Sequence, residues 1–154
     1  MKRLLVNAAE CAGCRYCEMV CSFQKEGRFS PSYSGVTVIK EDRYGLDYPL
    51  FCRQCDNCPP ADACPEGALE RDGNGVVTLN EEKCIGCGIC AKVCTYGAVN
   101  MGVSKPAICD LCSGEPACVE RCPTKALSYE ESDVYTERPD VVFLELRRRW
   151  GIDA

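Results

Sequence analysis

The chain has 154 residues, 16 of them cysteine, a formal net charge of −5 and no histidine. The missing histidine excludes Rieske ligation, imidazole-held haem, mixed Cys/His zinc fingers and His-based triads, and the acidic balance argues against nucleic acid as a partner. The aliphatic complement is modest for this length, so cysteine must supply much of the stability, either as a disulfide scaffold or as a metal-binding set in a reducing compartment.

At the N-terminus, Leu4, Leu5 and Val6 make an apolar run far short of the roughly 7–15 residues of a signal peptide. No stretch approaches the ~20 apolar residues of a membrane helix. A cytoplasmic location without membrane insertion is expected, and that setting favours thiolates over disulfides. Cys11, Cys14, Cys17 and Cys21 come next, spaced C-x2-C-x2-C-x3-C. The x3 step predicts a short helix with Met19 and Val20 on its apolar side. Residues 22–51 lack cysteine and carry Phe23, Phe29, Tyr33, Tyr44 and Tyr48. They read as an inserted hairpin, with strands over 35–40 and 46–51 and a turn at Tyr44 and Gly45. The insertion serves either as a cover over what the cysteines hold or as a docking surface for a catalytic subunit.

The second group is Cys52, Cys55 and Cys58, with Cys64 after five further residues. Residues 70–79 predict another hairpin, with Asp72-Gly73-Asn74-Gly75 supplying its positive-φ positions. The third group, Cys84, Cys87, Cys90 and Cys94, repeats the spacing of the first, with Ala91 and Val93 on the apolar side of its helix. The fourth is Cys109 and Cys112, then Cys118 after five residues and Cys122 after three. The phrase after the last cysteine also recurs, as Cys64-Pro65-Glu66-Gly67-Ala68-Leu69, Cys94-Thr95-Tyr96-Gly97-Ala98-Val99 and Cys122-Pro123-Thr124-Lys125-Ala126-Leu127. Self-similarity of this kind marks duplication. Beyond Ser128 the tail is acidic, then apolar over 141–146, and closes on Arg147, Arg148, Arg149 and Trp150. As a helix it puts Val142, Phe143, Leu146 and Trp150 on one face; as a strand, Val142, Leu144 and Leu146. Packing on the core and pairing with a partner both remain open.

Three closely spaced thiolates on a tight loop can cover three irons of a [4Fe–4S] cube, and the fourth can arrive from another loop. Crossing over makes the longer steps before Cys64 and Cys118 harmless. Glycine before Cys14 and Cys87 lets backbone N–H groups approach the sulfides. Four zinc sites, each held by four thiolates, would also use every cysteine, but zinc ribbons pair two C-x2-C knuckles and do not run three cysteines at x2-x2. The expected cofactors are four [4Fe–4S] clusters, one thiolate for each of sixteen irons. No thiolate is missing, which argues against an open-iron enzyme. No GxGxxG or phosphate-binding loop is present, so any flavin or nicotinamide step belongs to another chain.

The region from Cys11 to Cys122 resembles the four-cluster ferredoxin-like subunits of molybdopterin and tungstopterin oxidoreductases. The fourth motif, Cys109 to Pro123, carries that likeness. The opening from Cys11 to Phe23, with Lys25, Gly27 and Phe29, is most similar to the small subunit of tungsten-dependent aldehyde oxidoreductases. The resemblance implies a small α+β fold of duplicated bacterial-type two-cluster ferredoxin-like units, loop-rich, over residues 1–128, with a C-terminal tail over 129–154. It implies that Cys11, Cys14, Cys17 and Cys122 hold one cluster, and Cys109, Cys112, Cys118 and Cys21 its neighbour. Cys52, Cys55, Cys58 and Cys94 would hold a third, and Cys84, Cys87, Cys90 and Cys64 the fourth. The implied partner is a large tungsten- or molybdenum-pterin catalytic subunit, with a flavin- or NAD-binding subunit or a ferredoxin as acceptor. A free-standing polyferredoxin, or the small subunit of a hydrogenase, formate or carbon monoxide dehydrogenase complex, is the alternative. The second group departs from the family pattern, because Cys58 precedes Pro59-Pro60 instead of following such a pair. Cys21 and Cys94 also lack the following proline.

Overall fold

Four two-stranded antiparallel ladders and five helices make up the chain in a computed structural model that describes residues 1–152. Asp153 and Ala154, the last two residues of the tail expected over 129–154, lie outside the described residues. The fold is a small mixture of helix and strand, with no sheet wider than two strands among the described residues.

Strand β1 (Lys2–Val6) opens the chain, and helix α1 (Tyr16–Glu26) follows the first cysteine loop. Residues 22–26 therefore continue a helix and do not belong to the inserted hairpin. The helix stops where Gly27 takes φ +66° and its N–H bonds back to the Phe23 carbonyl, the left-handed cap that glycine adopts without a Cβ penalty. The hairpin itself is β2 (Val36–Glu41) against β3 (Leu46–Phe51), in register from Val36–Phe51 to Glu41–Leu46. Short helix α2 (Pro59–Asp62) starts on the two prolines, which suit a first helical turn. The predicted 70–79 hairpin is β4 (Leu69–Arg71) with β5 (Val77–Leu79). In its turn Gly75 takes φ +80°, while the Asp72 carboxylate accepts from the N–H groups of Asn74 and Val76. Gly73 is not in the positive-φ region.

Helix α3 (Ile89–Val93), the two-residue ladder of β6 (Asn100–Met101) with β7 (Pro106–Ala107), and helix α4 (Ala117–Glu120) complete the cysteine-bearing part. Strand β8 (Leu127–Glu131) then returns to pair with β1, which joins the two ends of that part. Lys2 stands opposite Glu131 and Arg3 opposite Glu130, and the N-terminal amine lies 3.0 Å from the Glu131 carboxylate. Opposite charges facing across a ladder favour this register.

The tail ends in helix α5 (Pro139–Trp150), with proline at its start and a left-handed Gly151 at its close. Phe143 and Leu146 are buried against Tyr48, Leu46, Leu50, Tyr96 and Ala98. The Phe143 and Tyr48 rings meet edge-on at 6.4 Å. Arg147 stacks on Tyr44 at 4.1 Å and lies 3.7 Å from Glu41, whereas Trp150, expected on the buried face, is 46 % exposed. The helix thus closes over the outer face of the hairpin. Phe143→Ala in the iron-loaded protein should cost about 3–5 kcal/mol, as truncation of a buried aromatic does, measured as a lower denaturation midpoint at unchanged iron content.

Candidate metal centres

The four cysteine loops share one backbone device. The residue before the second cysteine has positive φ in every loop: Gly13 at 62°, Gln54 at 56°, Gly86 at 70° and Leu111 at 57°. Left-handed residues within such turns aim successive N–H groups into a common concavity, which suits an anionic centre. At two positions glycine is also required by space. A Cβ on Gly13 would overlap the Asp47 carboxyl group, and one on Gly86 would overlap the Ser104 carbonyl oxygen.

The repeated phrase after the fourth cysteine has the same origin. Gly67, Gly97 and Lys125, three residues past Cys64, Cys94 and Cys122, all take positive φ, and each N–H bonds to the carbonyl of that cysteine. The turn presents N–H groups to the sulfur, with Ala68 N–H 3.2 Å from Cys64 Sγ. Burial alone would raise the Cys64 thiol, but the N–H groups of Ala68, Glu66, Leu69 and Gly67 outweigh it and hold the thiol below its ordinary value. Cys122 is lowered in the same way: Leu127, Thr124 and Ala126 overcome its burial. Cys21 differs, because it sits inside α1, where its sulfur accepts instead from the Gly35 N–H at 3.3 Å.

Thiols of different loops lie beside one another in groups. Burial raises the Cys11 thiol first, and the neighbouring charges of Asp47, Cys14 and Cys122 add to the rise. Cys17 is pushed up to about 12 by burial, with Cys118 as the second cause and Cys11 also near it. Cys109 is fully buried, which raises it well above the usual thiol range, with Cys118, Cys52 and Cys21 beside it. Cys118 in turn lies beside Cys21 and Cys112. Cys52, pushed up to about 12 by burial, has Cys58, Cys55 and Cys94 around it. Cys90, raised by burial, has Cys84, Cys87 and Cys64. Among the described residues no three Cys, Asp or Glu side chains stand close enough to hold a single metal ion. Two of the sets surround a space instead. Cys52, Cys55, Cys58 and Cys94 line one small cavity with Leu69 and Ile108, and Cys64, Cys84, Cys87 and Cys90 line another. Cavities whose metal-ligating groups are four thiols among largely apolar side chains fit a soft, sulfur-ligated cluster.

Two buried polar residues that sequence reasoning passed over brace these loops. Glu18 is 1 % exposed; its carboxylate accepts from the Val38 N–H at 2.5 Å and from Arg15 Nε at 2.9 Å, which locks α1 to β2. Gln54 is 2 % exposed; its amide donates to the Cys109 carbonyl and accepts from the Val77 N–H, both at 2.7 Å. It ties the second loop to the fourth loop and to β5. Glu18 follows directly on Cys17 and Gln54 sits within the second cysteine loop, but nothing in their spacing signals burial.

Residues 51–98 match the 4Fe-4S dicluster domain family. The chain is an iron–sulfur protein of ferredoxin type, and its sixteen cysteines fit four [4Fe–4S] clusters. It is 42 % identical over 122 residues to the polyferredoxin-like subunit of an aliphatic sulfonate oxidoreductase of Pyrococcus furiosus, which covers 77 % of this chain and 70 % of that protein. It is 33 % identical to the electron transport protein HydN of Escherichia coli, over 80 % of this chain and 85 % of that one. Among solved structures, a chain of the active site complex BamBC of benzoyl coenzyme A reductase with dienoyl-CoA superposes with a TM-score of 0.50 at 27 % identity, covering 99 % of this chain and 93 % of its own. The chain belongs to the family of polyferredoxin-like iron–sulfur electron-transfer proteins. No described helix is long and apolar enough to cross a membrane.

Proposed function

We propose that the chain is a non-catalytic subunit that relays electrons through four [4Fe–4S] clusters, between a tungsten- or molybdenum-pterin catalytic subunit and an external acceptor. When bound, the clusters supply one-electron chemistry. The chain's own residues hold them, space them and exclude water. In this reading the ligand sets are the four thiol groups described above, and residues 1–128 form two interleaved two-cluster units braced by the tail.

The observation that carries the reading is the succession of the sets. Cys21, Cys109, Cys118 and Cys122 share one buried core, with Cys11, Cys17 and Cys52 packed against it. Cys52 and Cys58 in turn pack against the core that contains Cys90. The first loop's set is thus joined to the fourth loop's, then to the second's and third's. Cys14 and Cys87, at the two ends of this series, are the exposed cysteines. A line with two accessible ends suits a relay between two partners.

The pterin partner rests on the sequence resemblance; the relatives, one a subunit of an oxidoreductase and another part of an active site complex, support a catalytic partner without specifying its cofactor. Anaerobic affinity purification from the native host should recover a larger protein containing tungsten or molybdenum, alone or with a flavin-binding acceptor subunit. A cluster-loaded chain that purifies as a monomer without either metal would overturn the pterin assignment in favour of a free-standing carrier.

A further inference from the structure

The four thiol sets do not meet the same fixed charges. Asp47 acts on Cys11 and Glu18 on Cys17, but Asp47 is paired with Lys40 at 2.6 Å and Glu18 with Arg15 at 2.9 Å, so the first loop meets neutral pairs. Beside Cys112, the Lys25 ammonium is met by the Asp110 carboxylate at 2.8 Å, a neutral pair. The second loop alone of these three has a cation hydrogen-bonded to a cysteine sulfur, and a second cation, Arg71, acts on its Cys58. Arg53 Nε donates to Cys55 Sγ at 3.4 Å.

This guanidinium is fixed on every side. Its Cζ lies 4.3 Å from the Tyr96 ring centroid and 5.5 Å from that of Tyr135, and a terminal nitrogen donates to the Thr136 carbonyl at 3.0 Å. Tyr135 is itself covered on its other contact by the Arg3 guanidinium at 3.9 Å. Arg53 has a sulfur, a carbonyl and two aromatic rings as partners, and no described carboxylate is paired with it; Glu137 acts only at longer range. A cation stacked between rings keeps its charge and its geometry. It therefore needs no reorganisation when the neighbouring centre changes charge.

We infer that Arg53 sets the potential of the cluster held by Cys52, Cys55, Cys58 and Cys94, making it the preferred resting place for an electron in the relay. The inference rests on the ligand sets proposed above. One-electron reduction adds a negative charge to the cluster and its thiolates, taken from the reductant. The guanidinium stays protonated and transfers nothing. A positive charge hydrogen-bonded to a ligand sulfur stabilises the more negative, reduced form over the oxidised one, and so raises the potential.

The test uses the full cluster-loaded chain under anaerobic conditions, titrated with a low-potential chemical reductant and followed by electron paramagnetic resonance, with iron counted in each sample. Arg53→Met should leave iron content unchanged and weaken the electron affinity of one cluster about tenfold, which is about 59 mV for a one-electron couple. Arg53→Lys, which keeps the charge, should leave that midpoint near the wild-type value. Cys55→Ser should perturb the same signal and so identify it. Unmoved midpoints in Arg53→Met, or a common shift of all of them, would overturn the inference. If Arg53→Met sheds iron, Arg53→Gln is compared with Arg53→Lys. A lower midpoint with Gln supports the inference, and equal midpoints overturn it. Failure of the underlying four-cluster reading would show separately, as missing iron in the wild-type chain.

Discussion

Removing iron from this chain is expected to unfold most of it. The ladders are all two-stranded, and an isolated two-stranded hairpin is marginal in water. Helices α2, α3 and α4 have four or five residues, far below the ~12–15 at which isolated helices begin to persist. The buried core contains Cys21, Cys90, Cys109, Cys118 and Cys122 alongside the aliphatic residues. Without iron, these thiols lose the bonds that hold separate loops together. Metal binding and folding are then one equilibrium. An anaerobic chelator should abolish tertiary dispersion in the proton spectrum and most of the far-ultraviolet helix signal; a native-like iron-free spectrum would contradict this. The pH dependence follows in sign. In an unfolded iron-free chain the thiols sit near their ordinary value of about 8.5 and are mostly protonated at neutral pH. The burial that pushes Cys17, Cys52 and Cys118 up to about 12 in the fold acts in the same direction, so iron must displace those protons. Protons compete harder as pH falls, so chelation should strip iron more readily in acid than in mild alkali.

The second large effect distinguishes crossed from uncrossed ligand sets. If Cys58 and Cys94 hold the same cluster, Cys58→Ala/Cys94→Ala should lose no more than that one, leaving about three quarters of the iron. Cys58→Ala/Cys90→Ala, with one cysteine from each of two sets, should lose up to two clusters and about half of the iron. Local, uncrossed ligation predicts equal losses from the two variants, up to two clusters each, because Cys90 and Cys94 would then belong together and Cys58 to the second loop's own set. Iron and acid-labile sulfide per chain, measured on freshly reconstituted protein, decide between the two. The single variant Cys58→Ala also tests the departure at Pro59-Pro60, since unchanged iron and spectra would remove Cys58 as a ligand.

Both effects concern residues whose chemistry is written in their spacing. The cysteine groups, the hairpins at 36–51 and 69–79 and the thrice-repeated phrase are local patterns, legible because each depends on a few neighbouring residues. What spacing does not carry is where distant segments meet. The β1–β8 ladder joins residues more than a hundred positions apart, and only the charges of Lys2, Arg3, Glu130 and Glu131 hint at it. The tail could be read as helix or strand because Val142 and Leu146 suit both periods. Burial of Phe143 against Tyr48 decides it in the fold, and that contact has no signature in either segment. Gln54 and Leu111 are the sharpest omissions. They hold the same left-handed backbone as Gly13 and Gly86, but without glycine. The loop imposes that conformation at a cost of order 1–2 kcal/mol for an L-residue, and buried contacts of the side chain offset it. Arg53 was equally silent, because a cation beside cysteine is ordinary in sequence and acquires meaning only when its guanidinium is seen against Cys55 Sγ.

The central claim is that sixteen thiolates hold four cubes, and metal content with Mössbauer spectroscopy on anaerobically isolated chain tests it most directly. The account predicts sixteen irons and sixteen acid-labile sulfides per chain, one iron for each cysteine, all with the signature of [4Fe–4S] centres. Stoichiometric zinc, or iron well below sixteen per chain, would contradict it.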